Sequence, residues 1–271
     1  MTLWVQDYWP GGEPMPPGTT PPCWILLRGL VRESRHWGSF GQRLADTLQV
    51  RVLSPDLPGN GQLHRMPSPL QLSALVDHLR SEMLPRHTSN PELSQPPFRL
   101  LGLSMGAMVA TAWALDFPAE VDRLVLVNGS LANLSPPWQR LRPGALATLA
   151  RALVSDTAGK EALIYRLSCH QQRDHILSQW CDYARECPVT GRNTLRQLAA
   201  AALYRSNNRV PRAPALLLCS RNDALVDPAC SAAIANHWRS PLGIHPDAGH
   251  DLPHDAPDWL LAQISNWLAG H

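Results

Sequence analysis

Short apolar runs bounded by turn residues recur along the chain. Cys23-Trp24-Ile25-Leu26-Leu27, Val50-Arg51-Val52-Leu53, Phe98-Arg99-Leu100-Leu101, Leu124-Val125-Leu126-Val127 and Pro214-Ala215-Leu216-Leu217-Leu218-Cys219 have the length and composition of buried strands. Gly243-Ile244-His245-Pro246 reads as one more. Residues 107–115 are amphipathic and read as a helix directly after the third run. From about 131 to 209 the pattern changes to helical periodicity, at 146–154, 162–177 and 195–204, bounded by Pro, Gly, Asn or polar breaks. Residues 1–130 and 210–271 therefore read as one α/β core, and 131–209 as a helical insertion. Two proline-rich surface loops, 10–22 and 89–97, and no internal repeat complete the outline.

Between the strand run ending at Leu101 and the helix beginning at Ala107 lies Gly102-Leu103-Ser104-Met105-Gly106. A strand, a sharp turn carrying Ser and a helix make a nucleophile elbow. The Ser is held in a strained backbone conformation, so the positions two before and two after it must be small; glycine fits both. The hydroxyl is then pushed clear of the sheet at a helix N-terminus, whose partial positive charge favours a developing anion. An ordinary glycine-flanked βα turn would share this short pattern, so the partners of the Ser decide between the two.

A catalytic Ser needs a base and an orienting acid, which follow such an elbow in the order acid, then His. Past the strand run at 214–219 comes Ser220-Arg221-Asn222-Asp223, with Asp227 four residues further on. Past the last run comes Asp247-Ala248-Gly249-His250-Asp251-Leu252-Pro253. Both acids and His250 thus lie just beyond C-terminal strand ends, where α/β sheets assemble their sites. Asp223 follows its strand at once and is the expected acid; Asp227 suits a cap or turn. His250 follows a glycine that lets the chain bend sharply. His245 falls inside the strand run and His254 at the entry of the last helix, so both read as structural.

An oxyanion hole takes two backbone N–H groups. Met105, after the nucleophile, is one donor; the other belongs in a loop after an early strand, such as Arg28-Gly29-Leu30-Val31. Here, and in Asp56-Leu57-Pro58-Gly59-Asn60-Gly61 and the Gly-His-Asp-Leu-Pro stretch, the chain resembles the α/β-hydrolase superfamily over about residues 20–134 and 212–270. The resemblance implies a mostly parallel central sheet flanked by helices, with the insertion forming a helical cap over the site. It also implies Leu30 as the second oxyanion donor. Two departures stand out: Arg28 and Asn60 occupy positions where the family usually has His. Arg28 admits two readings, a donor to neighbouring loop groups or a fixed charge that grips a substrate carboxylate.

Composition refines this picture. A hydrophobic fraction of 44% in 271 residues is enough for a sizeable core, and α/β sheets of this length are routinely one domain. With formal net charge +2 and no basic stripe, neither nucleic acid nor an anionic membrane is an expected partner. No apolar run approaches 18 residues and the first residues lack a signal-peptide pattern, so a cytoplasmic location is expected. Six cysteines without C-x-x-C spacing read as reduced thiols rather than disulfides or a zinc site.

The expected activity is hydrolysis of a small-molecule carboxylic ester with a small to medium acyl chain, using Ser104, His250 and Asp223 and no metal or organic cofactor. Substrate-contact candidates are Arg28, Trp138 and Trp180, with Arg140, Tyr165 and Tyr204 as further lining residues. At helical spacing, aromatics of this kind more often pack between cap and core. The resemblance admits a second class, carbon–carbon bond hydrolysis or elimination on a carboxylate-bearing substrate, for which Arg28, Arg140 or Arg166 is the available cation. A third is a non-catalytic binding protein on the same fold. Oligomeric state has no signature in the chain.

Overall fold

The computed structural model describes residues 4–14, 22–84, 96–171 and 173–270. Most of both proline-rich stretches (15–21 and 85–95) lies outside the described residues. Seven strands form one sheet: β1 (Val5–Tyr8), β2 (Cys23–Leu27), β3 (Arg51–Pro55), β4 (Phe98–Leu103), β5 (Val121–Val127), β6 (Ala215–Ser220) and β7 (Leu242–His245). Their spatial order is β1-β3-β2-β4-β5-β6-β7. All neighbours run parallel except β1, which pairs antiparallel with β3 at the edge. This edge strand is the element the apolar pattern missed. Val5-Gln6-Asp7-Tyr8 is short and half polar, and Asp7 is held across the pair by Arg51, Nη2 to Oδ2 at 2.6 Å.

The helices in chain order are α1 (Phe40–Leu48), α2 (Leu72–Met83), α3 (Met105–Asp116), α4 (Pro137–Arg140), α5 (Pro143–Val154), α6 (Thr157–Ser168), α7 (Asp174–Glu186), α8 (Gly191–Leu203), α9 (Ala229–Trp238), α10 (Leu252–Asp255) and α11 (Pro257–Ala269). The unbroken apolar runs are explained by burial on both faces of the sheet. In β2, Cys23, Ile25 and Leu27 join a core with Leu75 and Leu79 of α2, Val109 and Trp113 of α3 and Ile234 of α9. The alternate residues Trp24 and Leu26 join the opposite core with Phe40 and Leu44 of α1 and Leu260 and Ile264 of α11. α3 is apolar all round because it is covered all round: every residue from Met105 to Ala114 is buried.

The strand order also positions the site. β2 has β3 on one side and β4 on the other, so the chain reverses its direction of travel across the sheet between them. The crevice outside the C-terminal ends of β2 and β4 is the place where open α/β sheets bind ligands.

Five helices, α4 to α8, lie between β5 and β6. The expected helix at 162–177 is two helices. α6 stops at Ser168 and α7 starts at Asp174, because the amides of His170 and Gln171 turn away to the Asp255 carboxylate at 2.8 and 3.0 Å. α8 starts slightly earlier than the pattern suggests, where the Thr190 hydroxyl accepts from the Asn193 amide. Among the described residues no helix is long and apolar enough to cross a membrane.

Candidate active site

Ser104 joins β4 to α3 with φ 59° and ψ −118°, a conformation rare for a residue with a side chain. Its amide donates to Val127 O of the neighbouring strand at 2.9 Å, and its carbonyl accepts from Ala107 at 3.0 Å. The flanking glycines are required by close approach. A Cβ on Gly102 would lie 2.3 Å from Gly106 O, and one on Gly106 would lie 1.9 Å from Leu27 O at the end of β2. The loop after β2 also presses on Ser104, since a Cβ on Gly29 would meet Ser104 Cβ at 3.1 Å. Leu30 and Met105 therefore sit on the two segments flanking Ser104. Neither of their amides is hydrogen-bonded to a described residue.

His250 and Asp223 meet directly, Nδ1 to Oδ2 at 2.6 Å. Asp223 is fully buried, and its other oxygen accepts from the amides of Leu225 and Val226 at 2.7 and 2.9 Å. A carboxylate held in this way fixes the imidazole with Nδ1 protonated and Nε2 free to accept. Asp227 instead accepts from the Ala229 amide at the entry of α9. Asn128, at the end of β5 with φ 48°, ties the surrounding strand ends together. Its Oδ1 accepts from Ser220 N at 2.9 Å and its Nδ2 donates to His250 O at 2.7 Å. Ser104 Oγ and His250 share no hydrogen bond.

The Alpha/beta hydrolase family matches residues 17–263. The chain belongs to that family. Among its relatives is a protein of Escherichia coli O81 (strain ED1a) named as a carbamate hydrolase, RutD, 25% identical over 94% of each chain. A pimeloyl-[acyl-carrier protein] methyl ester esterase of Pectobacterium carotovorum is 30% identical, over 49% of this chain and 47% of its own. For an uncharacterised relative in Mycobacterium bovis the match takes in only 29% of that protein's length. The enol-lactonase of Burkholderia xenovorans LB400 superposes with a TM-score of 0.76 over 98% of this chain and 96% of its own, at 15% identity.

Within this hydrolase frame, the departure at Arg28 has a local partner. Arg28 Nη2 and Nη1 reach Asp251 Oδ2 and Oδ1 at 2.5 and 3.3 Å, with both side chains buried, and the guanidinium also lies over Trp37. The pair ties the loop after β2 to the residue following His250. Burial alone would push the Asp251 carboxyl up, but the Arg28 charge and hydrogen bonds outweigh it and hold Asp251 below its ordinary value.

Two further buried contacts join these loops to the inserted helices. Arg32 pairs with Glu161 of α6 at 2.8 Å and stacks over Trp180 of α7. Asp251 N donates to Ser168 O, and the Asp255 carboxylate gathers the amides of Gly249, His170 and Gln171. His36, packed against Trp180, is pushed well below its ordinary pKa by burial and by the charges of Arg32 and Arg28, so it is neutral at pH 7.

Two of the three expected substrate contacts have partners within the fold. Arg28 is committed to Asp251, and Trp180 is packed between Tyr165, His36 and Arg32. Trp138 is 64% exposed on α4 and lines none of the described cavities. His245 accepts from the amides of Asp247 and Ala248, and His254 bonds Tyr165 and Gln171 O, so each has a structural partner. A cavity of about 90 Å³ lies beside Val31, lined also by Arg32, Gly61, Lys160 and Glu161. Residues the sequence reading did not single out, Asn128, Asp251 and Asp255, share one signal: each is a buried polar residue just past a strand end or a site loop.

Cys169, His254 and Asp255 come within 4.8 Å of one another, but they are poorly suited to a cation. Three amides already hold Asp255, and burial pushes the Cys169 thiol far up, which keeps it protonated. All six cysteines are buried and unbridged.

Two outcomes follow for stability. Gly106→Ala should destabilise the fold by about 1–3 kcal/mol or more, because strand backbone cannot yield to the added methyl; urea denaturation measures this. Arg28→Met should lower stability by about 3–5 kcal/mol by stranding buried Asp251, while Arg28→Met with Asp251→Leu should recover most of it. The folded pKa of Asp251 lies below its unfolded value of about 3.9, so the pair's contribution is present above that pH and is lost as pH falls through the folded value. The double variant should therefore lose less stability than the parent as pH falls below about 4.

Proposed function

We propose that this hydrolase cleaves carboxylic esters with small to medium acyl groups through an acyl-enzyme on Ser104. The observation that carries the reading is a strained, partly exposed Ser104 at the N-terminus of α3, with a His250–Asp223 pair held at the neighbouring strand ends. In the first step Ser104 Oγ bonds to the acyl carbon while its proton passes to His250 Nε2. Asp223 fixes the tautomer and stabilises the imidazolium. The Leu30 and Met105 amides bind the oxyanion, assisted by the dipole of α3. Collapse breaks the ester C–O bond, and the alcohol leaves with the proton from His250. Water, deprotonated by His250, then attacks the acyl carbon, which releases the acid and restores Ser104. This chemistry needs no metal or organic cofactor.

Helices α4 to α8 act as a cap in this reading, and the natural partner is a small-molecule ester. Relatives named as a methyl ester esterase and a carbamate hydrolase add support, since both names imply attack at an acyl carbon. The carbon–carbon alternative is weakened because two of its three candidate cations are engaged. Arg28 is paired with Asp251, Arg140 donates to the carbonyls of Ala201 and Ala202, and Arg166 is exposed on α6.

Hydrolysis of p-nitrophenyl esters from acetate to palmitate, with fluorophosphonate labelling read by intact mass, tests the reading. We expect turnover of the short- and medium-chain esters and one adduct on Ser104. Ser104→Ala and His250→Ala should each abolish turnover with the circular dichroism spectrum unchanged; full activity in Ser104→Ala would overturn the mechanism. Asp223→Asn should lower kcat on the order of 10³–10⁴-fold, and Asp227→Asn should change it little.

A further inference from the structure

Val31 follows the proposed oxyanion donor Leu30 and has φ 50°, an outlier for a β-branched side chain. A conformation of this kind persists only where its surroundings enforce it. The enforcing contact comes from α8. The Val31 amide donates to Gln197 Oε1 at 2.9 Å, and Gln197 is buried.

The rest of that side chain leaves it a single orientation. Gln197 Nε2 donates to Ser68 Oγ and to Asn60 Oδ1, both at 3.0 Å. Ser68 Oγ spends its own proton on Pro58 O at 2.8 Å, so it must accept from Gln197. Gln197 can therefore offer Val31 only its oxygen. One turn earlier on the same helix, Asn193 holds the same body loop. Its Oδ1 accepts from Ser68 N, and its Nδ2 donates to His64 O and Met66 O. Asn60, the second departure from the family's usual turn, is thus a partner of α8.

We propose that Gln197 is a positioning residue that gives the oxyanion loop its reactive shape only while α8 is docked, so that docking of the inserted helices and assembly of the hole are one event. The proposal rests on the reading of Leu30 as an oxyanion donor. It differs from a general stabilising role, because the Gln197 bond fixes the Leu30–Val31 peptide itself. When α8 lifts, Val31 loses the contact that holds its positive φ, and the loop relaxes away from Ser104.

The test compares Gln197→Met and Gln197→Glu with the parent by ester kinetics and by hydrogen–deuterium exchange over residues 28–36. Gln197→Met keeps the volume and loses every hydrogen bond. We expect kcat to fall about 10–100-fold with KM within about threefold, in line with the loss from misplacing a site group by an ångström or removing one oxyanion donor. Exchange over 28–36 should rise while β4 and α3 stay protected. Gln197→Glu keeps the acceptor for Val31, and Asn60 Nδ2, buried without a partner in the parent, can turn to meet the new carboxylate. It should recover most of the lost kcat. A Gln197→Met kcat within twofold of the parent, unchanged exchange over 28–36, or a uniform rise across the whole chain would each overturn the proposal. A parent with neither turnover nor a Ser104 adduct would instead remove the hydrolase reading, and the exchange pattern would still decide whether Gln197 holds the loop.

Discussion

Three backbone segments converge at Ser104 more closely than side chains permit. The Gly106 Cα packs onto Leu27 O at the end of β2, Gly102 packs onto Gly106, and Gly29 packs onto Ser104 itself. This contact is steric and non-negotiable, because strand backbone in the middle of a seven-stranded sheet cannot shift to admit a methyl group. It forces the positive φ of Ser104 and brings the loop after β2 against that residue. The positions of the other site residues are set relative to this point.

Around it, polar groups are buried in pairs. Asp223 with His250, Arg28 with Asp251 and Arg32 with Glu161 each bring a charged or chargeable side chain into low-dielectric surroundings, where an unpaired group would be expensive. Pairing also assigns roles. Asp223 has one oxygen on His250 and the other on two amides, whereas Asp227 spends an oxygen on the entry of α9. Arg28 follows the same logic: its charge is paired with Asp251, and the pair ties the loop after β2 to the residue after His250.

The inserted helices hold the site loops. The end of α6 and the turn after it supply carbonyl and amide groups to Asp251 and Asp255, which follow His250. α8 supplies Gln197 to the loop that carries Leu30. The inserted helices are thus bonded to the stretch after His250 and to the loop after β2, across any boundary drawn at residue 131.

The chain alone was enough to locate the β2–β7 strands, because strands buried on both faces leave unbroken apolar runs. It was enough to mark Ser104, since steric exclusion leaves glycine at both flanking positions. It ordered Asp223 and His250 after their strands, and it confined the helical insertion to one interval. The edge strand β1 escaped because an exposed edge carries no apolar signature, and the break between α6 and α7 escaped because its cause, Asp255, lies more than eighty residues away. For the same reason only the tertiary structure decided what Arg28 and Asn60 do. Their partners, Asp251 and Gln197, are 223 and 137 residues distant, and a buried hydrogen bond is specified by two side chains meeting in space, which no local pattern encodes.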